Sequence, residues 1–308
     1  MNSDFVIWIR RVCLAGALVV AAGSASVPLA AVSGVDHVVV IGVDGLGALA
    51  FLETNAPVMH SLMREGAWTL KARGVIPTSS SPNWASMICG AGPEQHGVTS
   101  NDWQTNKFEI EPTARNRWGY FPTIFGALRE QRPQASQVIV HDWQDFGRLV
   151  EPGVPDAVAW VKGSPLTTER AAAVIKEQKP TFLFIHFDDV DHAGHGFGWK
   201  SPQYYKSVDM VDSLIGDILH ALADAGIRER TLILITADHG GVGTKHGGMT
   251  QAEIEIPWIL QGPGVFRGRE LKGAVNTYDT AATLAYVWGL QAPSVWIGRP
   301  VLEAFSNP

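Results

Sequence analysis

The sequence predicts an α/β fold in which a mostly parallel sheet is covered by helices on both faces. Apolar, β-branched runs alternate with helical patterns along the 308 residues, as expected of strands joined by crossover helices. The clearest runs, VVVIGV, FLFIHF and LILITA, are unbroken rather than alternating, which marks strands buried on both faces. With 46% hydrophobic and 18% charged residues, the chain has the composition of an ordinary folded protein, not a disordered one.

The elements follow in chain order. Arg10 and Arg11 precede an apolar run over 12–22, and small residues follow over 23–31. This is the order of a secretory signal, so residues 1–31 are expected to be an export signal cleaved after Ala25 or Ala31. An uncleaved anchor is the competing reading. The run falls short of the ~20 apolar residues of a membrane span, and no other stretch reaches that length, so no stable span is expected after cleavage. The mature chain, residues 32–308, is expected to be a single domain, exported to the periplasm or secreted. It would keep Cys89 and lose Cys13, leaving no internal disulfide.

Strands are predicted over 37–43, 68–75, 136–140, 181–187, 231–236 and 256–260. Helices are predicted over 48–64, 82–89, 122–130, 167–177, 203–225 and 280–288. For the helix over 82–89, Pro82 suits the first helical position and Ser81 the N-cap, which leaves Ser80 just ahead of the helix. The stretch 101–164 is rich in Trp, Pro and polar residues. It is expected to hold surface loops and small additions above the sheet, and part of a substrate pocket.

Three of the strongest strands run into aspartates: Asp44, then Asp188, Asp189 and Asp191, then Asp238. In open α/β sheets ligands bind outside the carboxyl ends of strands. One such aspartate could simply cap a helix; three strand ends, two with histidine beside the carboxylate, ask for another explanation. A carboxylate cluster needs cations or protons to relieve its repulsion. Asp191 and His195 stand four residues apart, Asp238 and His239 are adjacent, and His246 follows in the same glycine-rich stretch. Carboxylate plus imidazole suits Zn²⁺, with Mn²⁺ the alternative. The formal charge of −6 argues against nucleic acid as a specific partner. An acidic protein that handles an anionic substrate needs local positive charge, which two divalent ions would supply. Ser80, ahead of a helix N-terminus where anions are favoured, is a candidate nucleophile.

These motifs are VDGLG at 43–47, PTSSSPNWASMICGAGPEQHGV at 77–98, DDVDHAGHG at 188–196 and TADHGGVGTKHGG at 236–248. Together they resemble the alkaline phosphatase superfamily, and within it the type I phosphodiesterase/nucleotide pyrophosphatase family. The resemblance implies a three-layer αβα sandwich and two divalent metal ions. It implies that Asp44, Asp238 and His239 hold one ion, that Asp191, His195 and His246 hold the other, and that Ser80 is a nucleophile bridging to the metal. Asn83 would contact a phosphoryl oxygen. The implied reaction is hydrolysis of a small phosphate ester through a phospho-Ser80 intermediate, most directly as a phosphodiesterase or nucleotide pyrophosphatase.

The chain also departs from the pattern. Nucleotide-cleaving relatives carry an aromatic residue after the nucleophile; here it is Ser81. The interval from His239 to His246 is short, as in a compact bacterial-type member. Trp84 occupies the place of the sulfatase arginine and residue 80 is not Cys, which disfavours sulfate esters. A phosphomonoesterase or a transferase of a phospho-alcohol head group would use the same site, and a non-catalytic metal-binding protein is the alternative of another class. His195 is preferred over His192 as ligand. Asp188 and Asp189 are expected to support ligands, His96 to fix a loop, and Lys245 to be an exposed loop residue. Trp84 and Trp103 are candidates for the pocket wall. His37, His60, His141, His186 and His220 have no supporting context.

Overall fold

The computed structural model describes residues 31–306. Except for Ala31, the expected export signal lies outside the described residues. In chain order the elements are β1 (His37–Val43), α1 (Ala48–Phe51), α2 (Pro57–Glu65), β2 (Ala67–Arg73), α3 (Ser80–Cys89), α4 (Pro93–His96) and α5 (Ile124–Gln131). Then come β3 (Gln137–His141), β4 (Ala157–Trp160), α6 (Ser164–Gln178), β5 (Phe182–Phe187), α7 (Asp189–Phe197) and α8 (Pro202–Asp224). The chain continues with β6 (Thr231–Thr236), α9 (Gln251–Ile254), β7 (Glu255–Gln261), β8 (Arg269–Glu270) and α10 (Asp279–Val287).

All eight strands share one sheet in the order β4-β3-β5-β1-β6-β7-β2-β8. β7 pairs antiparallel with both β6 and β2, and the remaining pairs are parallel. The sheet is therefore mostly parallel, as the unbroken apolar runs predict. β5 and β6 are buried throughout and β1 is buried from Val38 onward, because helices cover both faces. Register then positions the site. Val43 lies opposite Phe187, and Gly42 opposite Thr236, so Asp44, Asp188 and Asp238 leave the sheet at the same level.

Several elements differ from the sequence expectation. The helix predicted over 48–64 is two helices, broken before Pro57, which opens α2. Proline has no N–H to donate and its ring would clash with the carbonyl four residues back. α3 begins at Ser80 with Ser79 as its N-cap, so Ser80 stands in the first turn rather than ahead of it. Pro82 is still tolerated there, because the first four N–H groups of a helix have no partner inside it; the first i→i−4 bond is Asn83 N–H to Ser79 O, 3.2 Å. The stretch 101–164 is more than loops above the sheet, since it adds the edge strand β4. The motif from Asp189 onward is helical, as α7.

Candidate metal centre and nucleophile

The strand register brings the acidic ends together, and α7 and the 239–248 loop add the histidines. Asp44, Asp238 and His239 offer donor atoms within 4.8 Å of one another, as do Asp191, His239 and His246. His195 joins the second group. Its Nε2 lies 3.4 Å from Asp191 Oδ2 and 3.1 Å from His246 Nε2. Asp191 and His195 sit one turn apart on α7 and so share a face. Gly45, at φ +71°, lets the chain turn beneath Asp191: a Cβ there would fall 2.8 Å from Asp191 Cα. His192 points elsewhere, with Nδ1 3.0 Å from Asp188 Oδ2. That hydrogen bond and the Asp188 charge raise its pKa to about 9.

The three site histidines are held in one orientation. Each donates Nδ1–H to a backbone carbonyl: His195 to Thr244 O at 3.0 Å, His239 to Gly240 O at 3.0 Å, and His246 to Thr78 O at 2.8 Å. Each then presents an Nε2 lone pair to the cluster, the usual arrangement of metal-ligating imidazoles. The Nε2 atoms of His195 and His246 lie 3.1 Å apart, both turned toward the cluster. The carboxylates tell the same story. Asp44 Oδ1, Asp191 Oδ1 and Asp238 Oδ2 are buried with no hydrogen-bond partner among the described residues, a costly state for a charged atom. The donor set and its orphaned oxygens therefore fit divalent cations.

Electrostatics within the cluster are uneven. Burial raises the pKa of Asp191 and of Asp238 well above the usual carboxylate range, and the Asp44 charge pushes both further. Burial acts the same way on Asp44. There the hydrogen bonds from His186 and Trp84, with the attraction of the neighbouring His239 and His186 rings, outweigh it and hold the group below its usual range. Burial drives His239 down to about 3, even against the charge of Asp44, which opposes it. Neutral imidazoles beside buried carboxylates are the protonation state that metal ligands need.

Ser80 stands at the edge of this cluster. Its hydroxyl donates to His239 Nε2 at 3.3 Å, and the residue is only 6% exposed. The N-terminus of the ten-residue α3 lies beneath it. Asn83, expected at a phosphoryl oxygen, is buried inside that helix turn. Its Oδ1 accepts from Val75 N–H at 2.6 Å, and its Nδ2 donates to Pro77 O at 3.1 Å and Ser79 O at 2.9 Å. It holds the 75–79 loop, and in this structure its Nδ2 donates to backbone carbonyls. The sequence reading missed Asn101, whose Oδ1 accepts from Ser81 N–H at 2.8 Å. Its Nδ2 has no hydrogen bond among the described residues. Arg148 braces this corner, donating to Asn101 O and, at 3.3 Å, to Ser81 Oγ.

Two more expectations change. Trp84 is fully buried and donates Nε1–H to Asp44 Oδ2 at 3.0 Å, so it lies behind the site rather than in a pocket wall. Trp103, expected as a wall residue, is 6% exposed, packs edge-on to Phe108 at 5.6 Å and lines a small cavity with Phe108, His96 and Tyr120. His186, which had no sequence context, donates Nε2–H to Asp44 Oδ2 at 3.2 Å. No local signal marks it, because its partner lies 142 residues away. Lys245 is exposed on its loop.

Comparison with known proteins agrees with the motifs. The profile described as type I phosphodiesterase / nucleotide pyrophosphatase matches residues 38–256. Mouse ectonucleotide pyrophosphatase/phosphodiesterase family member 1 is 24% identical over 196 residues, which cover 60% of this chain and 21% of the mouse protein. GPI ethanolamine phosphate transferase 1 of Emericella nidulans is 24% identical over 264 residues, covering 74% of this chain and 28% of that one. The chain thus spans well under a third of the length of either. The solved structure of human ectonucleotide pyrophosphatase/phosphodiesterase 5 superposes with a TM-score of 0.74 at 14% identity, covering 88% of this chain and 100% of that chain. At that identity the likeness speaks for the fold.

Proposed function

This chain belongs to the type I phosphodiesterase/nucleotide pyrophosphatase family, and on that premise we propose that it is a metal-dependent phosphoric ester hydrolase that cleaves phosphodiesters with Ser80 as nucleophile. One observation carries the reading. A serine hydroxyl at a helix N-terminus lies 3.3 Å from His239 Nε2, one of six convergent carboxylate and imidazole groups, and three carboxylate oxygens of that cluster are buried without a hydrogen-bond partner among the described residues.

Asp44, Asp238 and His239 would hold one divalent ion, and Asp191, His195 and His246 the other, with Zn²⁺ the first choice and Mn²⁺ the second. Bound there, such ions would lower the pKa of a hydroxyl or water and neutralise charge on phosphoryl oxygens. The chain's own groups account for the rest. Ser80 Oγ lies 3.3 Å from His239 Nε2, the atom that would hold an ion, so a cation bound there would lie within reach of the serine oxygen and favour loss of its proton. Ser80 Oγ forms a bond to phosphorus as the bond from phosphorus to one ester oxygen breaks; the departing alcohol gains the proton that Ser80 loses, and the serine is left esterified to the remaining phosphate monoester. Water then attacks that phosphorus, releasing phosphate monoester and regenerating the serine. The Ser80 N–H, the one N–H of the first α3 turn without a partner among the described residues, and the Asn101 Nδ2 would serve the equatorial oxygens. Asn83 keeps the loop before Ser80 in place.

Ser81 leaves no aromatic ring directly after the nucleophile to help stack a base, so the reading is of phosphodiesters in general, with nucleotides as one class of substrate. A head-group transferase on the same site is the second reading, favoured by the similarity to the ethanolamine phosphate transferase. The ecto placement in the mouse relative's name and the signal read in residues 1–31 support an exported enzyme. No helix among the described residues is long and apolar enough to cross a membrane.

The deciding experiment uses metal-loaded protein and its Ser80→Ala variant on bis-p-nitrophenyl phosphate and p-nitrophenyl phosphate. Wild type is expected to prefer the diester, and the variant to lose turnover by at least about a thousandfold while retaining its metal. Full activity in the variant would remove Ser80 as nucleophile. Preference for the monoester would replace the diesterase reading with a phosphomonoesterase.

A further inference from the structure

The two oxygens of Asp44 have different surroundings. Oδ2 accepts hydrogen bonds from Trp84 Nε1 at 3.0 Å and His186 Nε2 at 3.2 Å. Oδ1 has no hydrogen-bond partner among the described residues and lies 3.6 Å from His239 Nε2. Turning the carboxylate to present Oδ2 inward would break two buried hydrogen bonds to a charged atom, which are among the stronger kind.

The donors are themselves confined. Trp84 and His186 are both fully buried, and their rings meet edge to face at 4.9 Å. Phe146 and Phe184 pack against the indole at 5.9 and 6.1 Å. The indole lies over Gly42, where a Cβ would fall 2.5 Å from Trp84 Cη2. Gly42 is also opposite His186 in the β1–β5 register. A strand glycine that weakens packing often marks a close approach, and here what approaches is the tryptophan ring.

We propose that Trp84 and His186 are positioning residues that clamp Asp44 Oδ2, so that Asp44 binds a cation through Oδ1 alone, and that Gly42 is the gap that admits the clamp. The proposal rests on the reading of Asp44 as a cation ligand. The clamp fixes the orientation of the carboxylate before any ion arrives, so binding has no rotamer left to freeze on this ligand. Loss of such supporting hydrogen bonds typically lowers metal affinity by about 10–100-fold.

The test is equilibrium titration of metal-free protein with Zn²⁺ against a chromophoric chelator, with thermal unfolding of each variant measured alongside. Wild type is expected to take up two ions. His186→Leu, which fills the space but has no donor, should weaken one of the two by about 10–100-fold. His186→Gln, which restores an N–H donor, should recover most of that affinity. Trp84→Phe should weaken the same ion, and Gly42→Ala should reproduce the effect by displacing the indole. Folded His186→Leu protein that binds both ions with wild-type affinity would overturn the clamp. So would equal weakening of both ions, or a His186→Gln variant no better than His186→Leu. Asp44→Asn separates the two levels: if it leaves both affinities unchanged, Asp44 is no ligand and the underlying reading fails instead.

Discussion

The imidazole of His96 is held between two groups. Its Nε2–H donates to Ser86 Oγ at 2.9 Å, and its Nδ1 accepts the Val98 N–H at 3.1 Å. Burial pushes its pKa down to about 3, against about 6.5 in an unfolded chain. The sign follows from which state binds the proton. Below pH 6.5 the unfolded chain takes up a proton that the folded one refuses. The stability tied to a neutral His96 is therefore complete above pH 6.5 and is lost as pH falls toward 3. His239 shifts in the same direction, so only a difference between variants isolates His96. In urea unfolding of metal-free protein between pH 7 and pH 4, His96→Gln should lose about 1 kcal/mol less per pH unit than wild type. Parallel profiles would show that His96 is not buried neutral. The residue serves the fold, because it ties the end of α4 to α3 and thereby the segment that leads to Asn101.

Thr78 shows what a single loop does for the elements around it. Its carbonyl accepts His246 Nδ1–H at 2.8 Å, its hydroxyl donates to Gly248 O at 2.8 Å, and that hydroxyl accepts Gly247 N–H at 3.0 Å. The loop that precedes α3 and the loop that carries His246 are thus latched to each other. Thr78→Val keeps the shape and removes the hydroxyl, leaving Gly247 N–H and Gly248 O without their partner. It should cost about 1–3 kcal/mol of stability and accelerate metal loss to a chelator, with the fold retained by circular dichroism. Unchanged metal retention would mean that the backbone contact alone holds His246. α7 is built on the same economy of space. Gly194 lets the helix lie against Trp199, where a Cβ would sit 2.7 Å from the indole, and Trp199 in turn donates to Gly45 O at 2.9 Å, beneath the acidic cluster.

Across the whole molecule, a parallel sheet aims three strand ends at one point and crowds carboxylates there. Without cations that arrangement costs stability, since the buried acids must protonate or repel one another. Removing metal with EDTA should therefore lower the unfolding midpoint, and re-adding Zn²⁺ should restore it. Ligand present at about a thousandfold over its Kd stabilises by about 4 kcal/mol. A midpoint indifferent to chelation would show that the acidic cluster is not a metal site. Much of this was legible in the sequence. Buried strands read as unbroken apolar runs, and the carboxylates and imidazoles of the cluster lie within short motifs at their ends, where the chemistry of the residue types is itself informative. Asp44, Ser80, Asp191, His195, Asp238, His239 and His246 could be read as one group for that reason. The contacts of Asn83, Asn101, Trp84 and His186 could not be read from the sequence, because they depend on which atoms their side chains meet. Asn83 shares a helix turn with Ser80 yet turns its amide to the backbone, Asn101 comes from twenty residues away to meet Ser81 N–H, and His186 reaches Asp44 across the sheet. By itself the sequence determined the α/β class, the positions of the main strands along the chain and the identity of the clustered acids and histidines. Only the tertiary structure decided which oxygen of Asp44 faces the cluster and which asparagine stands beside the serine, because both are set by register and packing between segments that the chain order keeps apart.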